Sequence, residues 1–374
     1  MLTESNLNSN LTRDAGKIIF SGRSVLVAKE HLFMQEIKVG IIGSGSIAAH
    51  KHLPGHRAVE GVSIIAVCDI DLQRARALAD EYEIEHVCDN HQELLAMREI
   101  DAVSVCTPNN FHTEPTIAAL TAAKHVICEK PIAGNAVDAQ SMVDAQKTSG
   151  KILQIGLQSR FGTEARTLRR LYEDGLFGHI YYARAVTVRR RGMGITPTFM
   201  QKSIAGGGPL IDIGVHELDA LLWMIGYPQP IEAFGYATRK FGHRRDIVHD
   251  GDWDRSKFDV EDFAMGVIRF ADDLTVNLET AWACHYQDME GTFFVGDEAG
   301  ASYRPMRIYT DRNDKMIDYQ PEPVAELPGE FESFHQAIRQ DLPSPVPAEE
   351  ILITAKIFDA IYESSRIGRS VPIA

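Results

Sequence analysis

Three acid–base side chains stand at helical spacing within one apolar stretch in the second half of the chain. The stretch reads GGGPLIDIGVHELD, residues 206–219, and carries Asp212, His216 and Asp219. An α-helix turns about 100° per residue, so these spacings would bring the three side chains within about 40° of one another. They could form a solvated polar stripe, a set of ligands for a divalent metal ion, or an acid–base pair that faces a cleft. The stretch alone does not decide among the three.

A lysine at the end of an apolar run is the second candidate for chemistry. Lys130 follows the run HVICE (125–129) and precedes Pro131. Ligands of parallel sheets bind beyond the carboxyl ends of the strands, so a lysine here would direct its ammonium group towards the ligand crevice. A solvated surface lysine is the alternative. The position between a buried strand and a proline favours the functional interpretation.

A glycine-rich turn near the start of the first convincing strand predicts a binding loop for a dinucleotide. The apolar run IKVGIIG (37–43) leads into GSGSIA (43–48), a G-x-G-x-x-A motif. Gly43 permits a tight turn, and Gly45 lets the backbone approach a pyrophosphate, which the free N–H groups of the following helix would bind. The cofactor contacts predicted in this turn are Gly43, Ser44, Gly45, Ser46 and Ile47.

An acidic residue after the second predicted strand bears on the choice of cofactor. The run VSIIAVCD (62–69) ends at Asp69, 21 residues beyond Ala48. A carboxylate at this position can accept hydrogen bonds from the ribose hydroxyls of NAD and would repel the 2′-phosphate of NADP. We therefore expect NAD as the cofactor, with NADP disfavoured. Asp69 could also serve as the N-cap of the next helix.

The elements that must position these residues alternate between strand and helix. Further apolar runs lie within IDAVSVCTPNNFH (100–112), KHVICEKPIA (124–133) and KILQIGLQSRF (151–161). Such alternation over roughly 120 residues indicates right-handed βαβ units in a doubly wound parallel sheet of the Rossmann type. We expect an α/β nucleotide-binding domain over residues 35–155, with ligands bound at the strand ends TPN (107–109) and EKP (129–131).

The pattern changes after residue 150. Runs such as HIYYARAVTVRRRG (179–192) and LTVNLETAWA (274–283) alternate apolar and polar positions and are separated by polar turns. This pattern predicts a large, open, mainly antiparallel sheet in a second, α+β domain. We expect this domain over residues 156–374, with substrate-binding and oligomerisation roles and with C-terminal helices (331–374) that pack back onto the rest.

Composition excludes several kinds of partner. The formal net charge of −14 over 374 residues argues against nucleic acid or an anionic membrane surface. No apolar run reaches the roughly 18 residues of a membrane span. The five cysteines are odd in number and contain no C-x-x-C pair, which favours reduced thiols in a cytoplasmic protein. Residues 1–34 do not read as a signal peptide. We expect them to be a poorly ordered arm, or to precede a true start at Met34, and to carry no chemistry.

The motifs together resemble the Gfo/Idh/MocA oxidoreductases, the family of glucose-fructose oxidoreductase and inositol dehydrogenase. VGIIGSGSIA, TPNNFH, HVICEKPIA and GGGPLIDIGVHELD occur here in that family's order and approximate spacing, and the resemblance covers about residues 36–374. The pairing of EKP with D-x-G-x-H-x-x-D is more selective than the glycine motif. Within the family, the arginine run at 189–192 and the tryptophan-containing segment near 241–259 look most like the levoglucosan dehydrogenase-like sugar dehydrogenases.

The resemblance implies a set of functional residues. It matches Lys130, Asp212 and His216 to the catalytic lysine, aspartate and histidine, which also bind substrate together with Arg160. His216, with an ordinary pKa near 6.5, would be the base that takes the hydroxyl proton, and Lys130 would stabilise the developing alkoxide. For Asp219, contact with the substrate and a bracing role in the site are both open. The implied cofactor contacts beyond the glycine turn and Asp69 are Thr107, Pro108, Asn109, His112, Glu129 and Lys130.

The implied activity is hydride transfer between NAD(P) and a secondary alcohol of a sugar, anhydrosugar or cyclitol. The partners implied are therefore a small sugar or polyol substrate and further copies of the chain, in a dimer or tetramer, of which the tetramer is favoured. A metal site at Asp212 and His216 is disfavoured, because it would leave the glycine turn unexplained and would put Lys130 beside a cation. A catalytically silent NAD(P)-sensing protein of the same fold is the other alternative. The presence of both the lysine and the histidine counts against it.

Overall fold

The computed structural model describes residues 36–192, 197–249, 253–325 and 327–374, together with two short strands nearer the N-terminus. Met1–Gln35 and Glu36–Ala374 form separate compact units. In the first unit, the strands β1 (Ile19–Phe20) and β2 (Arg23–Ser24) pair antiparallel. The expectation of a poorly ordered arm at residues 1–34 otherwise lies outside the described residues.

Six strands in the first part of the second unit form a parallel sheet. They are β3 (Ile37–Ile42), β4 (Val62–Cys68), β5 (His86–Cys88), β6 (Ala102–Val105), β7 (His125–Glu129) and β8 (Leu153–Gly156). Their order is β5-β4-β3-β6-β7-β8, and all neighbouring pairs are parallel. Val39, Ile41 and Val103 are fully buried, as expected for strands that are covered on both faces. The predicted Rossmann sheet is confirmed.

The helices of this part follow the strands in turn. They are a π-helical turn (Ala48–His52), α1 (Leu53–Arg57), α2 (Leu72–Tyr82), α3 (His91–Leu95), a 3₁₀ turn (Asn109–Phe111), α4 (Thr113–Thr121) and α5 (Ala136–Ser149). The side chain of Asp71 accepts the backbone N–H groups of Gln73 and Arg74 and is the N-cap of α2. The cap is therefore Asp71 and not Asp69, which leaves the Asp69 carboxylate for other partners.

The second sheet has nine strands and is mainly antiparallel. They are β9 (Ile180–Val188), β10 (Pro230–Thr238), β11 (Phe263–Phe270), β12 (Thr275–Ala281), β13 (Met289–Gly296), β14 (Ala299–Ser302), β15 (Arg307–Arg312), β16 (Lys315–Tyr319) and β17 (Val371–Pro372). The order is β16-β15-β14-β13-β9-β12-β11-β10-β17. Among the pairs that these described strands make, β9 with β12 is parallel and the others are antiparallel. The predicted fold class is confirmed.

Helices cover one face of this second sheet. The helices after the first sheet are α6 (Thr163–Glu173), α7 (Lys202–Ala205), α8 (Pro209–Asp212), α9 (Gly214–Met224), α10 (Glu330–Gln340) and α11 (Ala348–Ile367), with 3₁₀ turns at Gln158–Phe161, Pro197–Met200 and Arg255–Lys257. Of these, α8, α9 and α11 contact the second sheet. Helix α9 contacts β9, and α11 lies against both β10 and α5. No helix among the described residues has both the length and the apolar character needed to cross a membrane.

The helix α10 packs against the first sheet although it lies near the end of the chain. Phe331, Phe334 and Ala337 belong to the same apolar core as Val39 and Ile41 of β3. The ring of Phe331 occupies the space beside Gly55 in α1, where any added side-chain carbon would overlap it. The last part of the chain thus completes the core of the nucleotide-binding half.

Candidate active site

The ammonium group of Lys130 binds the carboxylate of Asp212. Lys130 directly follows β7, and its Nζ lies 3.0 Å from Asp212 Oδ1 and 3.2 Å from the Asp212 carbonyl oxygen. The indole N–H of Trp282, which directly follows β12, donates to Asp212 Oδ2 at 3.1 Å. The Lys130 and Asp212 side chains each keep 16% of their surface exposed. The ion pair therefore lies at an opening, where a ligand can reach it.

His216 stands beside this ion pair but is not bonded to it. The three side chains at helical spacing do not lie on one continuous helix, because the chain is interrupted at Ile213: Asp212 ends α8 and His216 lies in the first turn of α9. The half-buried imidazole has no hydrogen-bond partner among the described residues. Burial first, and then the charge of the Lys130 ammonium, lower the pKa of His216 to about 3, against the opposing effect of the Asp212 carboxylate. The ring is therefore neutral and free to accept a proton.

Asp219 is turned away from this cluster and pairs with Arg160. The guanidinium of Arg160 donates to Asp219 through Nε at 3.0 Å and through Nη2 at 2.6 Å, and its Nη1 binds Glu350. The Tyr227 hydroxyl donates to the same Asp219 carboxylate at 2.8 Å. Burial alone would lower the pKa of Arg160, but the adjacent Asp219 charge raises it above its ordinary value.

Arg160 is thus placed differently from what the sequence suggested. Its side chain is only 2% exposed and all three guanidinium nitrogens are engaged by carboxylates. A side chain this deeply buried and held by two carboxylates presents no surface to a substrate. Arg160 and Asp219 together brace the site, and Arg160 is left out of the substrate contacts proposed below.

The glycine turn has the shape that a dinucleotide requires. Gly43 has a φ of +95°, and a Cβ there would lie 2.8 Å from the backbone of Cys106, so only glycine fits. A Cβ at Gly45 would meet no protein atom within 4 Å. The buried Ser44 hydroxyl has no hydrogen-bond partner among the described residues. Open space at Gly45 and an unpaired hydroxyl at Ser44 both fit a bound pyrophosphate.

Asp69 connects the second strand to this turn. Its Oδ2 accepts the backbone N–H of Ser44 at 2.7 Å and its Oδ1 accepts that of Asp71 at 2.9 Å. These bonds fix the carboxylate next to the phosphate-binding turn, and each oxygen can still accept another donor. The neighbouring Ile70 is 98% exposed, an apolar side chain in water at the rim of the same site. Nothing in the sequence was a reason to select Ile70. Its full exposure next to Asp69, the residue expected to bind the ribose, is recognisable only from the structure.

The TPN segment lies at the end of β6 and partly faces inwards. Thr107 and Pro108 are accessible, whereas the Asn109 side chain is buried and donates to the Ala205 carbonyl at 2.9 Å. The ring nitrogens of His112 lie 2.7 Å from the Pro131 carbonyl oxygen and 2.8 Å from that of Thr107. His112 therefore joins two strand-end loops, and its ring is not presented to a cofactor.

Glu129 also points away from the predicted ligand crevice. Its Oε1 accepts from Lys51 Nζ at 2.6 Å and from His52 Nε2 at 2.9 Å, and Lys51 also binds Glu330 at 3.2 Å. Burial alone would raise the pKa of Glu129, but the Lys51 charge holds it well below its ordinary value. Glu129 and His112, both expected as cofactor contacts, are thus engaged by other parts of the protein.

A row of buried hydrogen bonds continues from Glu129 into the protein. His52 Nδ1 lies 2.9 Å from the Ser104 hydroxyl, which lies 2.7 Å from His56 Nε2; His56 Nδ1 in turn lies 2.8 Å from His335 Nε2. Because the Glu129 carboxylate can only accept, His52 donates to it through Nε2–H. The sequence analysis missed this row because His335 is far from the others in the chain.

Metal coordination has no structural candidate in the described part of the chain. In that part, no three histidine, cysteine, aspartate or glutamate side chains converge in an arrangement that could hold a metal ion. Asp212 and His216 belong instead to the cluster with Lys130, whose ammonium group occupies the place next to Asp212 Oδ1.

Comparison with known proteins identifies relatives over nearly the whole chain. The protein is 34% identical to the D-glucoside 3-dehydrogenase of Escherichia coli K12, over 92% of this chain and 100% of that protein. It is 25% identical to the inositol 2-dehydrogenase of Salmonella typhimurium, over 89% of this chain and 96% of that protein. The fold is similar to that of levoglucosan dehydrogenase in complex with NADH, with a TM-score of 0.77 and 23% identity, over 91% of this chain and 100% of that one.

Both halves of the chain match domains of a single family. Residues 37–157 match the oxidoreductase domain of the family with its NAD-binding Rossmann fold. Residues 165–302 match the family's C-terminal domain. The resemblance inferred from the sequence motifs is confirmed, and the chain belongs to the Gfo/Idh/MocA family of oxidoreductases.

Proposed function

We propose that the protein is an NAD-dependent dehydrogenase that transfers a hydride between a secondary alcohol of a sugar, anhydrosugar or cyclitol and the nicotinamide. The observation that carries the proposal is the accessible Lys130–Asp212 ion pair beside the neutral imidazole of His216, which has no hydrogen-bond partner in the described part of the chain. The names of the relatives support the substrate class, since they are dehydrogenases of a D-glucoside and of inositol.

The glycine turn and Asp69 would hold the dinucleotide. The open face of Gly45 and the N–H groups that begin the following helix suit the pyrophosphate, and Asp69 suits a ribose. Thr107 and Pro108, at the end of the next strand, extend this surface towards Lys130. When bound, the nicotinamide supplies the hydride acceptor for oxidation of the alcohol.

His216 and Lys130 would act on one oxygen of the substrate. Oxidation removes a hydride from carbon and a proton from the hydroxyl group, and a carbonyl group forms. The neutral His216 imidazole takes the proton, while the Lys130 ammonium donates a hydrogen bond to the same oxygen and stabilises its negative charge. Asp212 holds Lys130 in place at 3.0 Å and favours the protonated imidazole once it has formed.

A substrate screen with product analysis tests this proposal. The purified protein is assayed for NAD reduction with methyl D-glucosides, levoglucosan, free hexoses and myo-inositol, and the oxidised carbon is assigned by NMR. We expect reduction with at least one of these polyols and a single keto product. Tight NAD binding without reduction across the panel would favour a cofactor-sensing protein and would reject the proposed function.

We propose NAD rather than NADP as the cofactor because Asp69 lies at the phosphate-binding turn. The variant Asp69→Ser removes the negative charge, so its efficiency with NADP relative to NAD should rise at least tenfold. The matched control is Asp71→Ser, which removes an equal charge two residues away at the N-cap of α2 and should leave the ratio unchanged. A wild-type preference for NADP would show that Asp69 does not bind the ribose.

We also propose that the outer face of the second sheet joins copies of the chain. Phe234 and Tyr236 are exposed on β10, and their cross-strand partners Val267 and Met265 continue an apolar surface on the same face. An apolar surface of this extent ordinarily marks an interface. We expect a dimer or tetramer of closed symmetry. Sedimentation as a monomer at micromolar concentration would reject this assembly.

The thiols support placement in the reducing cytoplasm. All five cysteines are free, and four of them are buried. Burial raises the pKa of Cys68 to about 12 and that of Cys88 to about 11, so neither thiol is reactive at neutral pH.

A further inference from the structure

Trp282, whose indole N–H binds Asp212, is buried and is fixed both by backbone hydrogen bonds and by apolar packing. Trp282 is fully buried, so its ring cannot touch a ligand. Its backbone N–H donates to the Asp262 carbonyl at 3.0 Å, and its own carbonyl accepts from Gly192 at 2.8 Å. The ring lies in an apolar cluster whose other buried members are Met200, Ile213, Trp253, Phe258, Val260 and Ala283. The indole is a fixed donor.

The support of Trp282 is itself fixed by a buried carboxylate. The Asp262 side chain is fully buried and accepts backbone N–H groups from three successive residues, Lys240, Phe241 and Gly242. Its carbonyl, meanwhile, receives the Trp282 N–H. Hydrogen bonds thus connect the start of the segment after β10 to Asp262, then to Trp282, to Asp212 and finally to Lys130.

We propose that Trp282 is a positioning residue of the reaction, which fixes the Asp212 carboxylate through its indole N–H and thereby fixes the ammonium group of Lys130. The carboxylate torsion of an aspartate is soft, so a single bond from Lys130 to Oδ1 would leave the carboxylate plane free to turn. The second bond, from Trp282 to Oδ2, removes that freedom. The inference rests on the proposed roles of Lys130 and Asp212.

The variant Trp282→Phe tests the inference, because it removes the N–H and keeps an aromatic ring in the cluster. We expect kcat to fall about tenfold, the loss of one hydrogen bond to a charged group, with little change in the KM for NAD. The matched control is Trp253→Phe in the same cluster. It removes an indole N–H that donates to the Gly242 carbonyl at 2.9 Å and should leave kcat within about twofold of the wild type.

A double-mutant cycle separates positioning from a purely structural role. In an Asp212→Ala background Trp282 has no carboxylate to hold, so Trp282→Phe should then change the rate of hydride transfer less than twofold, measured by single-turnover formation of NADH. An equal loss in both backgrounds, an equal loss in Trp253→Phe, or an unchanged kcat in Trp282→Phe would overturn the inference. Full activity of Lys130→Ala and Asp212→Ala would instead reject the proposed function.

Discussion

The end of strand β7 separates two clusters that contain the same kinds of side chain. Glu129, the last residue of the strand, joins Lys51 and His52, whereas Lys130, the next residue, joins Asp212 and His216. Successive side chains of an extended chain point to opposite sides, so the two clusters lie back to back. Each has a lysine, a carboxylate and a histidine. Only the second is expected to do chemistry.

The difference lies in which atoms are left unsatisfied. Glu129 is 4% exposed, and its cluster passes hydrogen bonds inwards through Ser104 to His56. In the other cluster the Lys130–Asp212 pair is accessible and His216 has no partner among the described residues. We call Glu129, Lys51 and His52 the sealed cluster and Lys130, Asp212 and His216 the open cluster. Buried side chains that bind one another stabilise a single arrangement, whereas an accessible ion pair beside a neutral base can bind a ligand and react with it. Residue types alone do not distinguish the two.

The largest expected effect comes from removing a member of the open cluster. Lys130→Ala and His216→Ala should each lower kcat about 10²–10⁴-fold, the usual range for groups that act on the reacting oxygen. The KM for NAD should change little. The double variant should be far less damaged than the product of the two single effects, because both groups serve one transition state. Near-normal turnover in either folded variant would show that the two clusters do not differ as described.

A lysine of the sealed cluster should affect stability and not turnover. Lys51→Met leaves Glu129 and Glu330 without their shared cation, and breaking a buried ion pair in this way costs about 3–5 kcal/mol of unfolding free energy. The matched control Lys147→Met removes an exposed lysine of α5 and should cost much less. Urea unfolding measures both. A loss of kcat in folded Lys51→Met as large as that in Lys130→Ala would erase the distinction between the clusters.

The sealed row of histidines should make stability fall in mild acid. Burial, and then the charge of Arg339, lowers the pKa of His335 to about 3, below its unfolded value near 6.5. Its stabilising contribution is complete above pH 6.5 and is lost as the pH falls towards 3, because the unfolded chain then binds the proton. This one histidine should cost about 2 kcal/mol between pH 6.5 and 5.

Urea unfolding at several pH values checks this dependence. The variant His335→Gln cannot titrate, so its stability should depend less steeply on pH than that of the wild type, even if the variant is less stable at neutral pH. Equal slopes for the two proteins would show that His335 is charged in the folded state or does not contribute.

The smallest effect is expected from acid on catalysis. Because the pKa of His216 is lowered to about 3, the base stays neutral and active at every pH above about 4. The sequence alone suggested a histidine with an ordinary pKa near 6.5. We now expect kcat/KM at saturating NAD to be flat on the acid side down to about pH 5. A limb near 6.5 that disappears in His216→Ala would contradict the structure.

The sequence predicted the two sheets and the glycine turn from regular patterns of apolar residues and glycines. The meeting of Lys130 with Asp212 and His216 was implied by the family resemblance and not by the spacing of these residues, which left three interpretations open. The interruption at Ile213 was not predictable from such patterns. The angle of about 100° per residue assumes a continuous helix and therefore cannot show where a helix ends. The interruption ends α8 at Asp212, and in the folded chain Asp219 meets Arg160. That pairing depends on tertiary contacts between distant segments.

Side chains at strand ends were the least predictable part of the site. Glu129, Lys130 and His112 all belong to motifs that indicate a ligand crevice, but two of them point inwards. Which side a residue faces depends on the partners available behind the strand, here Lys51 on the π-helical turn and the Pro131 carbonyl. Of these three residues, Lys130 alone binds an acceptor on the accessible side of the sheet edge, the Asp212 carboxylate.

The packing of α10 has a consequence for how the protein is made. Strand β8 ends at Gly156, but Phe331 and Phe334 fill the core of the same half. A ribosome therefore synthesises strands β9 to β16 of the second sheet before it reaches the helix that covers this core. Until then His56 and the groove beside Gly55 remain uncovered on the nascent chain. Protection by chaperones during synthesis would be needed most at this surface, which is synthesised early and is covered only when α10 packs onto it.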